Sequence, residues 1–120
     1  MGGLFSAPES QAVDLESPEA KYIRGITHEK CVVVFSKTVC PHCKEVKRIF
    51  EDFSANYTTV ELDKREDGKK MQAILGKMTN ASTVPRVFIK GSCIGGADDT
   101  KKLRQSGRLE EMLRECNAID

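Results

Sequence analysis

No run of apolar residues in this 120-residue chain approaches the ~20 that a membrane-spanning helix requires, so such a helix is excluded. A surplus of one charge is also missing. Nineteen basic and 18 acidic residues leave a formal net charge of +1, which argues against a nucleic-acid binder. No basic stretch followed by an apolar one opens the sequence, so no secretory signal is read there and a reducing, cytoplasmic setting is expected. The five cysteines are an odd number and lack the dense spacing of a secreted scaffold. Internal repeats are absent. With 39% hydrophobic residues the chain can fill one small core but not two, so one domain is expected.

What is present has a clear order. Residues 1–16, MGGLFSAPESQAVDLE, are small and polar without a usable period and are expected to form a mobile tail before a domain at 17–120. Ser17 followed by Pro18 reads as a helix N-cap and first helical residue, with the helix running to about His28. CVVVF at 31–35 is a short β-branched apolar run, hence a buried strand. Val46, Ile49, Phe50 and Phe53 recur at the spacing of an amphipathic helix, with Pro41 in its first turn. YTTVEL at 57–62 reads as a second strand, and Met71, Ile74, Leu75 and Met78 mark a third helix. RVFI at 86–89 and SCIG at 92–95 read as a hairpin turning through Lys90 and Gly91. Leu109, Met112, Leu113 and Cys116 mark a last helix. A helix links the first two strands, so they should be parallel with a right-handed crossover, and the hairpin adds antiparallel strands. The expected architecture is α/β, a four-stranded mixed sheet with helices on its faces.

The chemistry centres on SKTVCPHCKEVKRIF, where Cys40 and Cys43 stand two residues apart between a buried strand and a helix start. Such a pair can hold a metal, form a structural disulfide or do redox work. Structural zinc needs four ligands, usually as two pairs. Cys31, Cys93 and Cys116 form no second close pair, and only His28 and His42 add imidazole, so no metal is expected. A purely structural disulfide would be broken in a reducing compartment. The redox reading has a mechanism behind it. Backbone N–H groups and the dipole at a helix N-terminus favour a thiolate, and the thiolate is the nucleophile. Cys40, nearest the loop, should be the exposed attacker, and Cys43, one turn further in, the resolving thiol. Cys31 and Cys116 sit on apolar faces and read as inert core thiols, Cys93 as a half-buried strand thiol.

Four segments in order, SKTVCPHC, Gln72 on the third helix, STVPRVFI and CIGGADD, give residues 20–117 the pattern of a glutaredoxin, which the chain resembles as a dithiol, CPHC-type member. That resemblance implies a thioredoxin-like fold and a glutathione-dependent thiol–disulfide oxidoreductase that reduces protein–glutathione mixed disulfides and protein disulfides. It implies Cys40 as nucleophile and Cys43 as resolving residue. In the STVP segment, Thr83 and Val84 would meet the cysteinyl part of glutathione, Val84 through its backbone in the manner of an added strand, beside a cis Pro85. Lys37 and Gln72 would hold the glycine carboxylate. Gly95 and Gly96 would allow close backbone approach, and Asp98 and Asp99 would meet the γ-glutamyl end. Each of these residues alone has an ordinary reading: Lys37 a solvated lysine, Gln72 a surface side chain, Asp98 and Asp99 a helix cap. Their joint order favours the glutathione reading.

Two positions depart from the pattern. The family usually has an aromatic ring where this chain has His42, and an imidazolium beside Cys40 would stabilise the thiolate and make the disulfide a better oxidant. Ser82 stands where many relatives carry a basic residue. A disulfide oxidant is the alternative that CPHC suggests, but the chain lacks a secretory signal and an inserted helical domain. A second alternative is a glutathione-ligated [2Fe–2S] carrier, which Pro41 argues against by stiffening the loop. The expected partners are glutathione, glutathionylated or disulfide-bearing proteins and, indirectly, glutathione reductase; a monomer is expected. Finally, MGGLFS fits the N-myristoylation pattern with Gly2 as acceptor, though without a second membrane signal such as a polybasic run, so any membrane contact would be weak.

Overall fold

Ser17 caps the first helix through its side chain, whose oxygen accepts the Ala20 N–H at 3.2 Å, and Pro18 follows at the first helical position. The structure, a computed structural model, describes residues 13–120, so the acylation pattern around Gly2 lies outside the described residues. At the end of the segment expected to form a tail, Asp14–Glu16 turn into Ser17, whose N–H donates to Asp14 O, and Val13 packs against the core.

The elements follow in the order α1 (Pro18–Glu29), β1 (Val32–Ser36), α2 (Pro41–Asp52), β2 (Thr58–Glu61), a 3₁₀ turn (Leu62–Lys64), α3 (Gly68–Thr79), β3 (Arg86–Ile89), β4 (Ser92–Gly95), α4 (Ala97–Gln105) and α5 (Arg108–Glu115). The four strands form one sheet in the order β2-β1-β3-β4. β1 and β2 are parallel, and the β1–β3 and β3–β4 pairs are antiparallel. The mixed sheet matches the expected architecture. The hairpin turns at Lys90 and Gly91, both in the left-handed region at φ 54° and 83°.

β1 is buried along its whole length because helices cover both faces of the sheet. Alternation then divides its side chains. Val33 and Phe35 join Val60 and Phe88 beneath α1 and α3, where Phe35 meets Phe88 edge-on at 5.5 Å between centroids. Val32 and Val34 join Val87 and Ile89 beneath α2 and α5, against Val46, Phe50, Leu109 and Leu113. The amphipathic spacing of α2 buries Cys43, Val46, Ile49 and Phe50 on one line, which aims the start of the helix at the C-terminal end of β1.

Two expectations need correction. The single last helix is two helices, α4 and α5, parted at Gly107, whose φ of 84° suits glycine and ends the first helical run. Cys31 and Cys116 are not inert core thiols. They form a disulfide, with 6.1 Å between their Cα atoms, that ties the approach to β1 to the end of α5 across 85 residues. Packing α5 under β1 brings two thiols together that nothing local in the sequence relates. Cys93 is half-buried on β4, as expected.

Candidate active site

Cys40 is the N-cap of α2. Its backbone is extended, at φ −92° and ψ 116°, and its sulfur accepts the N–H of Cys43 at 3.2 Å, with Pro41 at the first helical position. The first turn of α2 carries no acidic residue, so no carboxylate competes with the sulfur for the positive end of the helix. The sulfur thus faces the positive end of the helix and the Cys43 N–H. The sulfur also lies 3.9 Å from the Val84 carbonyl oxygen.

Cys43 sits in the opposite environment. It is fully buried, and its thiol is pushed up to about 11, chiefly by burial and next by the hydrogen bond with Cys40. The two cysteines thus differ in setting, Cys40 half-exposed at the helix start and Cys43 buried beneath it.

The loop before Cys40 is held from the 3₁₀ turn that follows β2. The Cys40 N–H donates to Lys37 O at 3.2 Å. Thr38 donates its N–H to both Asp63 carboxylate oxygens at 3.1 Å and its hydroxyl to one of them at 2.5 Å. Those hydrogen bonds hold the Asp63 carboxyl below its ordinary range. Sequence reading missed Asp63, which looks like an ordinary acid in a turn.

Opposite Cys40, the Val84–Pro85 bond is cis, as expected. Gln72, on α3, donates its side-chain N–H to Ser82 O at 2.7 Å and so braces the loop that leads to Thr83 and Val84. A cavity of about 340 Å3 opens between this loop and the start of α4. His42, Thr83, Val84, Pro85, Gly96, Asp98 and Asp99 all line it; Lys37 and Gln72 lie outside its lining. Counting His42, seven of the ten candidate residues are therefore brought together; Gly95, like Lys37 and Gln72, lies outside the lining. Arg86 is a further member that sequence reading missed, because RVFI reads as plain strand. Its Nε donates to Pro85 O at 3.1 Å. A Cβ on Gly96 would stand 2.8 Å from an Arg86 terminal nitrogen, so the absence of a side chain at 96 lets the guanidinium lie along the cavity.

At the far end, the Asp99 carboxylate accepts the Gly96 N–H at 3.0 Å and so acts as a helix cap, while Asp98 is exposed. The His42 ring is 70% exposed and its Nδ1 pairs with Glu45 at 2.9 Å. Its hydrogen bond thus runs to a carboxylate on its own helix, not to the Cys40 thiol. Glu45 is in turn held below its ordinary range by His42 and then Lys101. Among the described residues no group of three or more His, Cys, Asp or Glu is placed to hold a metal ion.

The glutaredoxin family profile matches residues 32–94, more than half of the chain and the span from β1 to β4. The chain belongs to the glutaredoxin family. It is 41% identical over 114 residues to the mitochondrial glutaredoxin-2 of Pongo abelii, covering 95% of this chain and 71% of that protein. To the chloroplastic glutaredoxin-C4 of Oryza sativa subsp. japonica it is 42% identical over 119 residues, 95% of this chain and 90% of that one. Among solved structures, a buckwheat glutaredoxin–glutathione complex superposes with a TM-score of 0.83 at 40% identity, covering 95% of this chain and all of that one.

As a glutaredoxin the chain is a glutathione-dependent thiol–disulfide oxidoreductase with a thioredoxin-like fold. The names of these relatives put them in mitochondria and chloroplasts, and the cytoplasmic setting expected from the sequence gains no support from them. No helix among the described residues is long and apolar enough to cross a membrane.

Proposed function

We propose that this glutaredoxin works through Cys40 as nucleophile and Cys43 as resolving thiol, with glutathione lying in the cavity between the Thr83–Pro85 loop and the start of α4. The Cys40 thiolate attacks the glutathione sulfur of a protein–S–S–glutathione disulfide. The protein thiolate leaves and takes a proton, and Cys40 carries the glutathione. A second glutathione thiolate attacks that sulfur, releases oxidised glutathione and restores Cys40. With a protein disulfide, Cys40 bonds to one substrate sulfur and the other leaves as a thiol. Cys43 then loses its proton, attacks Cys40 and frees the substrate, and two glutathiones reduce the Cys40–Cys43 disulfide.

The observation that carries this reading is the approach of the Cys40 sulfur to Val84 O at the mouth of that cavity. A peptide joined to Cys40 would run beside the exposed backbone of Val84, as an added strand does. Asp98, Arg86 and the free N–H groups at the start of α4 supply charges of both signs for the amino and carboxylate groups of a γ-glutamyl end. For the glycine carboxylate the reading assigns Lys37 and Gln72, which lie outside that lining. The test is turnover of a small glutathione mixed disulfide, coupled to glutathione reductase. Lys37→Ala and Gln72→Ala should each raise the KM for glutathione several-fold with the fold retained. Wild-type kinetics in both would remove these residues from the site.

A further inference from the structure

A second and larger cavity, about 610 Å3, lies between α2 and α4 and starts at Pro41, the neighbour of Cys40. It is separate from the proposed glutathione cavity, with which it shares no lining residue. Ile49 and the aliphatic stems of longer side chains form its floor. Its charges are not balanced. Lys44, Arg48, Lys101 and Arg104 line it against only Glu45 and Asp52. Both acids are already engaged: Glu45 with Lys101 at 3.2 Å and His42 at 2.9 Å, Asp52 with Arg104 at 3.1 Å. Lys44 and Arg48, exposed and one turn apart on α2, have no carboxylate within ion-pair distance among the described residues. The chain as a whole carries only +1, so this positive groove is a local feature. Two residues before Pro41 in the chain, and directly before Cys40, Val39 is 78% exposed, the most exposed large apolar side chain among the described residues.

We propose that this groove receives an acidic segment flanking the disulfide of a protein substrate, with Val39 and Pro41 as the apolar contact at the attacked cysteine. The proposal rests on the catalytic reading above and names the substrate class of that site. While Cys40 is bonded to a substrate cysteine, the polypeptide on either side of that cysteine must pass over the start of α2. The glutathione cavity takes one side; the groove lies open on the other. A segment rich in aspartate or glutamate meets Lys44 and Arg48, which need no rearrangement of existing pairs to accept it. A basic segment meets uncompensated like charge. Rim charges of this kind act mainly on the rate of encounter and are screened by salt.

Two peptides with the same internal disulfide, one flanked by glutamates and one by lysines, test this. At low ionic strength kcat/KM should favour the acidic peptide by about tenfold, and the preference should shrink in ~0.5 M salt. Arg48→Glu should abolish the preference and leave turnover of the small glutathione mixed disulfide unchanged. Equal rates for the two peptides in the unaltered protein would overturn the proposal, as would a preference that survives Arg48→Glu. If Arg48→Glu slowed both peptides equally through a higher KM for glutathione, the groove would belong to glutathione and the proposal would again fall. Loss of turnover on the small mixed disulfide in the unaltered protein is a different result, and would overturn the catalytic reading itself.

Discussion

The Cys40 sulfur lies 3.9 Å from the carbonyl oxygen of Val84, a residue 44 positions further along the chain. The helix start that carries the proposed nucleophile and the loop proposed to receive glutathione thus meet at one point. Either alone is common. In the proposed reaction their meeting lets a disulfide be attacked while the chain attached to it is held.

Cys40→Ser should abolish turnover of a glutathione mixed disulfide. Cys43→Ser should keep much of it, because a second glutathione can resolve the intermediate, and should lose reduction of protein disulfides. Coupled assays on both substrate types measure this, and equal loss in the two variants on the mixed disulfide would refute the division of roles.

Resolution by Cys43 should be steeply pH-dependent. Its thiol is pushed up to about 11, so across neutral pH only a small thiolate fraction exists. That fraction, and with it the rate of Cys40–Cys43 disulfide formation, should rise about tenfold per pH unit between ~7 and ~9. Stopped-flow release of glutathione from the Cys40 mixed disulfide follows the step. A rate flat in pH would mean that Cys43 leaves its buried place before attack.

Gly96→Ala should impair glutathione use more than folding. Gly96 has an ordinary φ of −110°, so alanine strains no backbone there. The added methyl would stand 2.8 Å from an Arg86 terminal nitrogen and 3.4 Å from Pro85 O. The guanidinium can swing aside, which keeps the stability change under about 1 kcal/mol, but it then enters the cavity. A KM for glutathione raised about five- to tenfold with little change in melting temperature is the expected result.

Cys31→Ser should destabilise the protein without touching its chemistry. Opening an 85-residue link frees the unfolded chain, a loss of about 2–4 kcal/mol for a bridge of this kind. Urea unfolding of the variant against the oxidised parent measures it, and thiol titration after unfolding counts the bridge directly. Activity of the folded variant should match that of the parent.

Much of this was legible in the sequence because side-chain periods carry it. Val46, Ile49 and Phe50 state one helix, and the valines of β1 state a strand covered on both faces. The cysteine pair was readable because its chemistry depends on a local fact, a helix start. The features that stayed hidden depend on three-dimensional approach or on weak local signal. ADDTKKLRQ, the sequence of α4, buries only Thr100 fully and shows little apolar period, so it merged with α5. Cys31 and Cys116 are related only by the packing of α5 under β1. Arg86 and Asp63 look ordinary in sequence. They matter through the groups they reach: Pro85 O beside the cavity and the Thr38 amide in the loop before Cys40.

The hold of Asp63 on Thr38 has a dynamic consequence. Among the described residues β2 is an edge strand, paired only with β1, and edges are where sheets open first. The turn after it carries the carboxylate that fixes the loop leading to Cys40. Peeling of β2 from the sheet therefore releases the loop before Cys40 in the same event, so amide exchange at Thr38 should follow that of the edge strand, not that of the interior strand to which its own segment belongs.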